Sequence, residues 1–107
     1  MSKMFNPPHP GRILKSALEA LDISARSFAK HIDVSPATIT RVIRGEIAIS
    51  PTLAVKLAKA ISGPDADMWL RMQATYDAWQ AEHSVDVTNI TPYPYLESSV
   101  SEHRIAA

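Results

Sequence analysis

Residues 24–45 read Ser24-Ala25-Arg26-Ser27-Phe28-Ala29-Lys30-His31-Ile32-Asp33-Val34-Ser35-Pro36-Ala37-Thr38-Ile39-Thr40-Arg41-Val42-Ile43-Arg44-Gly45, and this stretch decides the fold. Ser24 has a side chain suited to cap a helix, and Phe28, Ala29 and Ile32 then recur on one helical face. A break of two or three residues, Asp33-Val34-Ser35, follows. Ser35 is a strong N-cap, with Pro36 at the favoured first helical position behind it. Ile39, Val42 and Ile43 supply the inward face of the next helix. Gly45 ends it, because glycine accepts the left-handed conformation common just past a helix. Two short helices joined by so tight a turn cannot form a hairpin of parallel axes; the arrangement is a helix-turn-helix. Ala29 puts a small side chain where the helices touch, and Val34, Ile39 and Val42 hold their crossing angle. Asp33 stands where glycine is usual in such a turn, and Asp is among the non-glycine residues enriched at positive φ.

The outward face of the second of these helices carries the chemistry. At about 100° per residue, Ala37, Thr38, Thr40, Arg41 and Arg44 fall within an arc of about 160°, opposite Ile39, Val42 and Ile43. That arc holds two hydroxyls, two guanidiniums, a methyl group and no acid. Arginine can bond bidentately to guanine, threonine reaches bases or phosphates, and the Ala37 methyl suits a thymine methyl. These five residues are the candidates for reading base edges. Ser24, Arg26, Lys30, Ser35 and Lys56 are the candidates for phosphate contacts, since a helix start and nearby cations attract an anion.

Outward from this core, further helices frame the motif. On the N-terminal side, Asn6-Pro7-Pro8-His9 is an extended lead and Pro10 opens a helix. Ile13, Leu14, Ala17, Leu18 and Leu21 form its apolar stripe, and Gly11 and Gly45 are both expected to punctuate helices. On the C-terminal side, Ser50-Pro51 caps a fourth helix with Leu53, Ala54, Leu57, Ala58 and Ile61 inward, stopped at Ser62-Gly63-Pro64. Asp65 or Asp67 begins a fifth helix over 65–82 with two apolar stripes. One stripe is Trp69, Met72, Tyr76 and Trp79; the other is Ala66, Leu70, Ala74, Ala78 and Ala81. Two stripes exceed what one small core needs, so Leu70, Tyr76 and Trp79 are candidates for a homodimer interface. Val85 and Val87 alternate with Asp86 and Thr88, which suggests an edge strand over 83–91. Residues 96–107 are expected to be mostly disordered. The expected division is therefore a helix-turn-helix domain over 1–82, with its motif at 24–45, and a tail over 83–107.

With 107 residues, the chain has room for a single modest core. It has no cysteine, which excludes disulfides, Cys-ligated zinc and iron–sulfur clusters. His9, His31, His83 and His103 are scattered without metal-ligand spacing. Asp65 and Asp67 have no base or nucleophile beside them, so neither an enzyme nor a cofactor is expected. Asn89-Ile90-Thr91 matches a glycosylation sequon by chance only. No apolar run approaches the ~20 residues of a membrane span, and the residues at the start lack a signal sequence, so a cytoplasmic protein is expected. The net charge of zero hides a division: residues 1–63 hold nine Lys/Arg against four Asp/Glu, and residues 64–107 hold two against seven. The first half suits a polyanion and the second a basic partner.

Several segments carry a family resemblance, the Pro-His-Pro-Gly lead and the Trp-Leu-x-x-Gln-x-x-Tyr-Asp end being much more specific than the helix-turn-helix alone. They are Asn6-Pro7-Pro8-His9-Pro10-Gly11 with Ile13-Leu14, Val34 to Gly45, Ile49-Ser50-Pro51 with Ala54 and Leu57-Ala58, and Met68-Trp69-Leu70-Arg71-Met72-Gln73 followed by Tyr76-Asp77. Through them the chain resembles HigA-type antitoxins, a branch of the XRE (Cro/cI-like) helix-turn-helix family. The resemblance implies an all-α, five-helix, lambda-repressor-like DNA-binding domain; the short C-terminal tail, strand-forming or disordered, is read from its own residues, since past about 92 it has no family pattern. It also implies a homodimeric repressor that binds a palindromic operator on double-stranded DNA, and a HigB-type toxin partner similar to RNA-cleaving RelE-like toxins. Two alternatives stay open: a stand-alone XRE-type regulator without a toxin, and a protein-interaction module on the same fold.

Overall fold

The computed structural model describes residues 6–94, in which five helices follow one another: α1 (Pro10–Leu21), α2 (Ala25–His31), α3 (Pro36–Ile43), α4 (Pro51–Ala60) and α5 (Ala66–Ser84). Each start is capped by the side chain just before it. Ser24 Oγ accepts from the Ser27 N–H at 3.0 Å, Ser35 Oγ from Ala37 at 3.1 Å, and Ser50 Oγ from Leu53 at 3.1 Å. The Asp65 carboxylate accepts from the Met68 N–H at 2.8 Å. The cap of α1 is an imidazole: His9 Nδ1 accepts from the Gly11 N–H at 2.9 Å.

Three of the ends share one chemistry. Asp22, Asp33 and Gly45 adopt φ values of 58°, 60° and 76°. This lets the next N–H turn back to the last helical turn: Ile23 to the Leu18 carbonyl, Val34 to Ala29 and Glu46 to Arg41, at 3.0, 2.9 and 2.8 Å. These are Schellman closures, which satisfy carbonyls that a helix end otherwise leaves without partners.

Leu14, Leu18, Phe28, Ala29, Ile39, Val42, Leu53, Ala54, Leu57, Ile61 and Trp69 form one buried cluster. α1 and α2 both pack on α3, and α5 lies across α1 and α4. Ala29 is fully buried at the α2–α3 contact, where a larger side chain would push the helices apart. Only the middle of the expected α1 stripe is inside. Leu14 and Leu18 are buried, whereas Ile13 and Leu21 lie at its edges, 38% and 52% exposed. Gly11 is not punctuation either: it stands in the first turn of α1, where a Cβ would lie 1.8 Å from the Val42 carbonyl oxygen.

The fifth helix runs to Ser84, and no strand occurs among the described residues. The Val85–Val87 alternation has no neighbouring strand to supply hydrogen bonds, so it stays irregular chain leading into a turn at Thr88–Asn89. Asp86 Oδ1 accepts from both the backbone N–H (3.0 Å) and the hydroxyl (2.8 Å) of Thr88, and these bonds hold the Asp86 carboxyl below its ordinary pKa. The expected disorder at 96–107 falls outside the described residues. No described helix is long and apolar enough to cross a membrane.

Candidate nucleic-acid interface

The third helix turns its inward residues into the core and its opposite side outward. Ile39 and Val42 are fully buried. Ala37, Arg41 and Arg44 are exposed, and Thr38 and Thr40 are half-exposed. All five candidate base readers therefore share one accessible face. Among the described residues the only ion pair joins Arg71 to Asp67 on α5 at 2.9 Å. No described carboxylate neutralises Arg41 or Arg44, so both guanidiniums are available to a polyanion.

The phosphate candidates divide into three groups. Arg26 and Lys30 line a shallow cleft of about 360 Å³ with Asp33, Val34 and Pro36, directly beside the start of α3. Ser24 and Ser35 spend an oxygen lone pair on their own helices, which leaves each hydroxyl hydrogen to donate outward. Lys56 is engaged within the fold, because its Nζ donates to the Asp33 carbonyl at 3.1 Å. This bond ties α4 to the turn of the motif and leaves the ammonium two further N–H donors.

The residues expected at a dimer interface are partly used within the subunit. Leu70 packs on the core cluster. Tyr76 meets the His9 ring edge-on, centroids 4.9 Å apart and planes at 77°. Trp79 stacks on His83 at 3.8 Å, one turn further along α5. Past Trp79 every residue of α5 is exposed.

Behind the exposed face of α3 lies a polar cluster that sequence reasoning missed. His9 and Gln73 are both buried, and they approach one another across 64 residues of sequence. Gln73 Oε1 accepts from the buried Ile49 N–H at 2.9 Å, and Gln73 Nε2 donates to Asp77 Oδ1 at 2.9 Å. The His9 ring lies against Gly45, where a Cβ would stand 3.6 Å from it. Since Nδ1 accepts from Gly11, the neutral ring carries its proton on Nε2. The 3.4 Å approach of Gln73 Nε2 to His9 Nε2 is then a packing contact between two donors. Burial lowers the His9 pKa below its ordinary value, and the Asp77 charge and the Ile47 backbone oppose that shift. The available signal was His9-Pro10 itself, a polar residue directly before a proline at a helix start. Among the described residues no group of three or more His, Asp and Glu side chains is arranged to hold a metal ion.

With this geometry in hand, the chain compares closely with known proteins. A family model described as helix-turn-helix, HTH_3, matches residues 14–65. The chain is 38% identical to an uncharacterized HTH-type transcriptional regulator, YddM, of Escherichia coli K12, over 82% of this chain and 93% of that one. It is 44% identical to virulence-associated protein A' of Dichelobacter nodosus, over 96% of each. Among solved structures, an addiction module antidote protein of the HigA family from Coxiella burnetii is 33% identical with a TM-score of 0.72, covering 83% of this chain and all of that one. A Pseudomonas aeruginosa protein in complex with its operator DNA is 28% identical with a TM-score of 0.71, over 81% of this chain and 97% of that one.

Proposed function

Because this chain belongs to the XRE-type helix-turn-helix family, among its HigA-type antitoxins and related DNA-binding regulators rather than among enzymes, we propose that it represses transcription from its own operon by reading a palindromic operator with α3. One observation carries this: an acid-free, outward face on a doubly capped helix whose two arginines have no described ion-pair partner. Ala37, Thr38, Thr40, Arg41 and Arg44 read base edges, while Ser24, Arg26, Lys30, Ser35 and Lys56 hold the phosphates. Two copies, joined through α5 with Trp79 in the contact, present their third helices to successive major grooves about 34 Å apart. The domain that does this spans 1–82, and the work belongs in the cytoplasm, where the DNA is.

The same chain neutralises a HigB-type, RNA-cleaving toxin by direct binding. Support comes from the HigA-type relatives and from the excess of acids over residues 64–107, which complements a protein that must be basic to handle RNA. A gel shift with the chain's own upstream DNA tests the repressor reading, with a retarded band that a scrambled duplex does not compete away. A chain that binds both duplexes equally refutes it. Co-expression with the neighbouring small basic reading frame tests the toxin reading. Co-purification supports it, and its absence leaves a stand-alone regulator.

A further inference from the structure

The two most specific sequence segments, Pro8-His9-Pro10-Gly11 and Trp69-Leu70-x-x-Gln73-x-x-Tyr76-Asp77, contribute nothing to the outward face of α3. They converge instead on the chain just past its end. His9 supports Gly45, the residue that closes α3, its ring standing 3.6 Å from where a Gly45 Cβ would be. Gln73 takes the Ile49 N–H. The ends of the loop over 46–50 are tied to helices, Glu46 to the Arg41 carbonyl and Ser50 to Ala54, and Ile49 is buried in the core; between them, Gln73 supplies the side-chain bond that takes up the buried Ile49 N–H. Val42, one residue after Arg41, is held from the other side by the close approach of Gly11. The last turn of α3, which carries Arg41 and Arg44, is thus located by α1 and α5 through His9 and Gln73.

We propose that His9 and Gln73 are positioning residues for operator readout, setting where Arg41 and Arg44 stand without touching DNA themselves. This rests on the reading of α3 as a DNA-reading helix. A tilt of an eight-residue helix moves a guanidinium at its far end out of bidentate register with a base, while leaving nonspecific phosphate attraction nearly intact. A role confined to stability predicts the opposite: any loss of binding follows the unfolded fraction and falls on all DNA alike.

The test is a double-mutant cycle at a temperature where every variant is folded. His9→Asn keeps a good N-cap for α1 but removes the ring from Gly45. It should weaken operator binding by about tenfold and leave affinity for scrambled duplex within about twofold. Combined with Arg41→Ala it should cost clearly less than the two losses multiplied, and beside Arg41→Ala and Arg44→Ala together it should cost little more, because those two changes already remove the contacts that His9 positions. Gln73→Met, which keeps length and burial, provides a second cycle should His9→Asn fold poorly. A selective parent whose losses simply multiply, or fall equally on both duplexes, overturns this proposal alone. A parent that does not distinguish operator from scrambled duplex overturns the DNA reading and the proposal with it.

Discussion

Gly11 and Val42 are in such close approach that a methyl group on the glycine would lie 1.8 Å from the Val42 carbonyl oxygen and 2.7 Å from its carbon. Both neighbours are backbone, so neither can rotate away. Gly11→Ala must separate α1 from α3, and should destabilise the fold by about 3 kcal/mol or more, beyond the usual cost of overpacking. Urea denaturation measures this directly, and a midpoint within 0.5 kcal/mol of the parent, roughly the effect of an ordinary surface change, would show that the helices are not held at this distance.

His9 makes stability depend on pH in a predictable direction. Its folded pKa is lowered from 6.5 by burial, so on acidification the unfolded chain takes up the proton first. The stability linked to this group is complete above the unfolded value and declines as pH falls below about 6.5 toward the folded value. The facing groups are the Asp77 carboxylate, which partly offsets the shift, the uncharged Tyr76 ring and the Ile47 backbone. Protonation puts a second donor against the Gly11 N–H and uncaps α1. Thermal midpoints measured from pH 7.5 to 5.5 should fall, and His9→Asn should flatten the profile over that window. An identical slope in the two proteins removes His9 as its source.

Asp33 holds a φ of 60° that glycine would adopt without cost. Its contact with Lys56 uses the backbone carbonyl and survives substitution. Asp33→Gly should therefore raise stability, or leave it unchanged, by at most about 1 kcal/mol, the relief of left-handed strain being offset by glycine's greater freedom in the unfolded chain. Gly45→Ala reverses the argument, since its φ is 76°; its Cβ would make only an ordinary contact with the His9 ring at 3.6 Å, so the strain is in the backbone. It should cost about 1–2 kcal/mol, read from denaturant midpoints of the pair.

The DNA face separates into two kinds of residue by salt dependence. Arg41→Ala should cost about 1–3 kcal/mol on the operator and relax preference at one base pair per half-site. Lys30→Gln should weaken binding to all sequences and reduce the log–log salt slope by about one. Both side chains are exposed, so melting temperatures should barely move. Fluorescence titrations over a salt series give both numbers, and an unchanged slope for Lys30→Gln takes that residue off the phosphate path.

Association through α5 has its own signature. Sedimentation should show a dimer at micromolar concentration, and Trp79→Ala should shift it toward monomer with the helix content kept. A monomeric parent at high micromolar concentration counts against the symmetric arrangement.

The helices were legible because their punctuation is local. A serine or aspartate accepts from an N–H two or three residues on, and a proline fixes its own φ. Asp33 or Gly45 turns the chain within a single closure, so Ser24, Ser35, Ser50 and Asp65 announced four of the five starts. The outward arc from Ala37 to Arg44 was legible for the same reason, since a helix fixes the angle between its own residues. Periodicity could not say where each apolar stripe ends. Ile13 and Leu21 are spaced like core residues, yet they fall at the rim once α3 and α5 have chosen their contacts. Nor could it say that Val85 and Val87 lack a partner strand, because a strand is a relation between segments. Nothing local links His9 to Gln73 or Gly11 to Val42. His9 caps α1 through a local bond, but it buttresses Gly45, and Gly11 becomes a spacer, only when a distant backbone arrives within van der Waals reach. The sequence alone determined which segments are helices and which side of α3 is free. Tertiary packing decided how those helices are aimed, because close approach and buried hydrogen bonds join residues that sequence separation keeps apart.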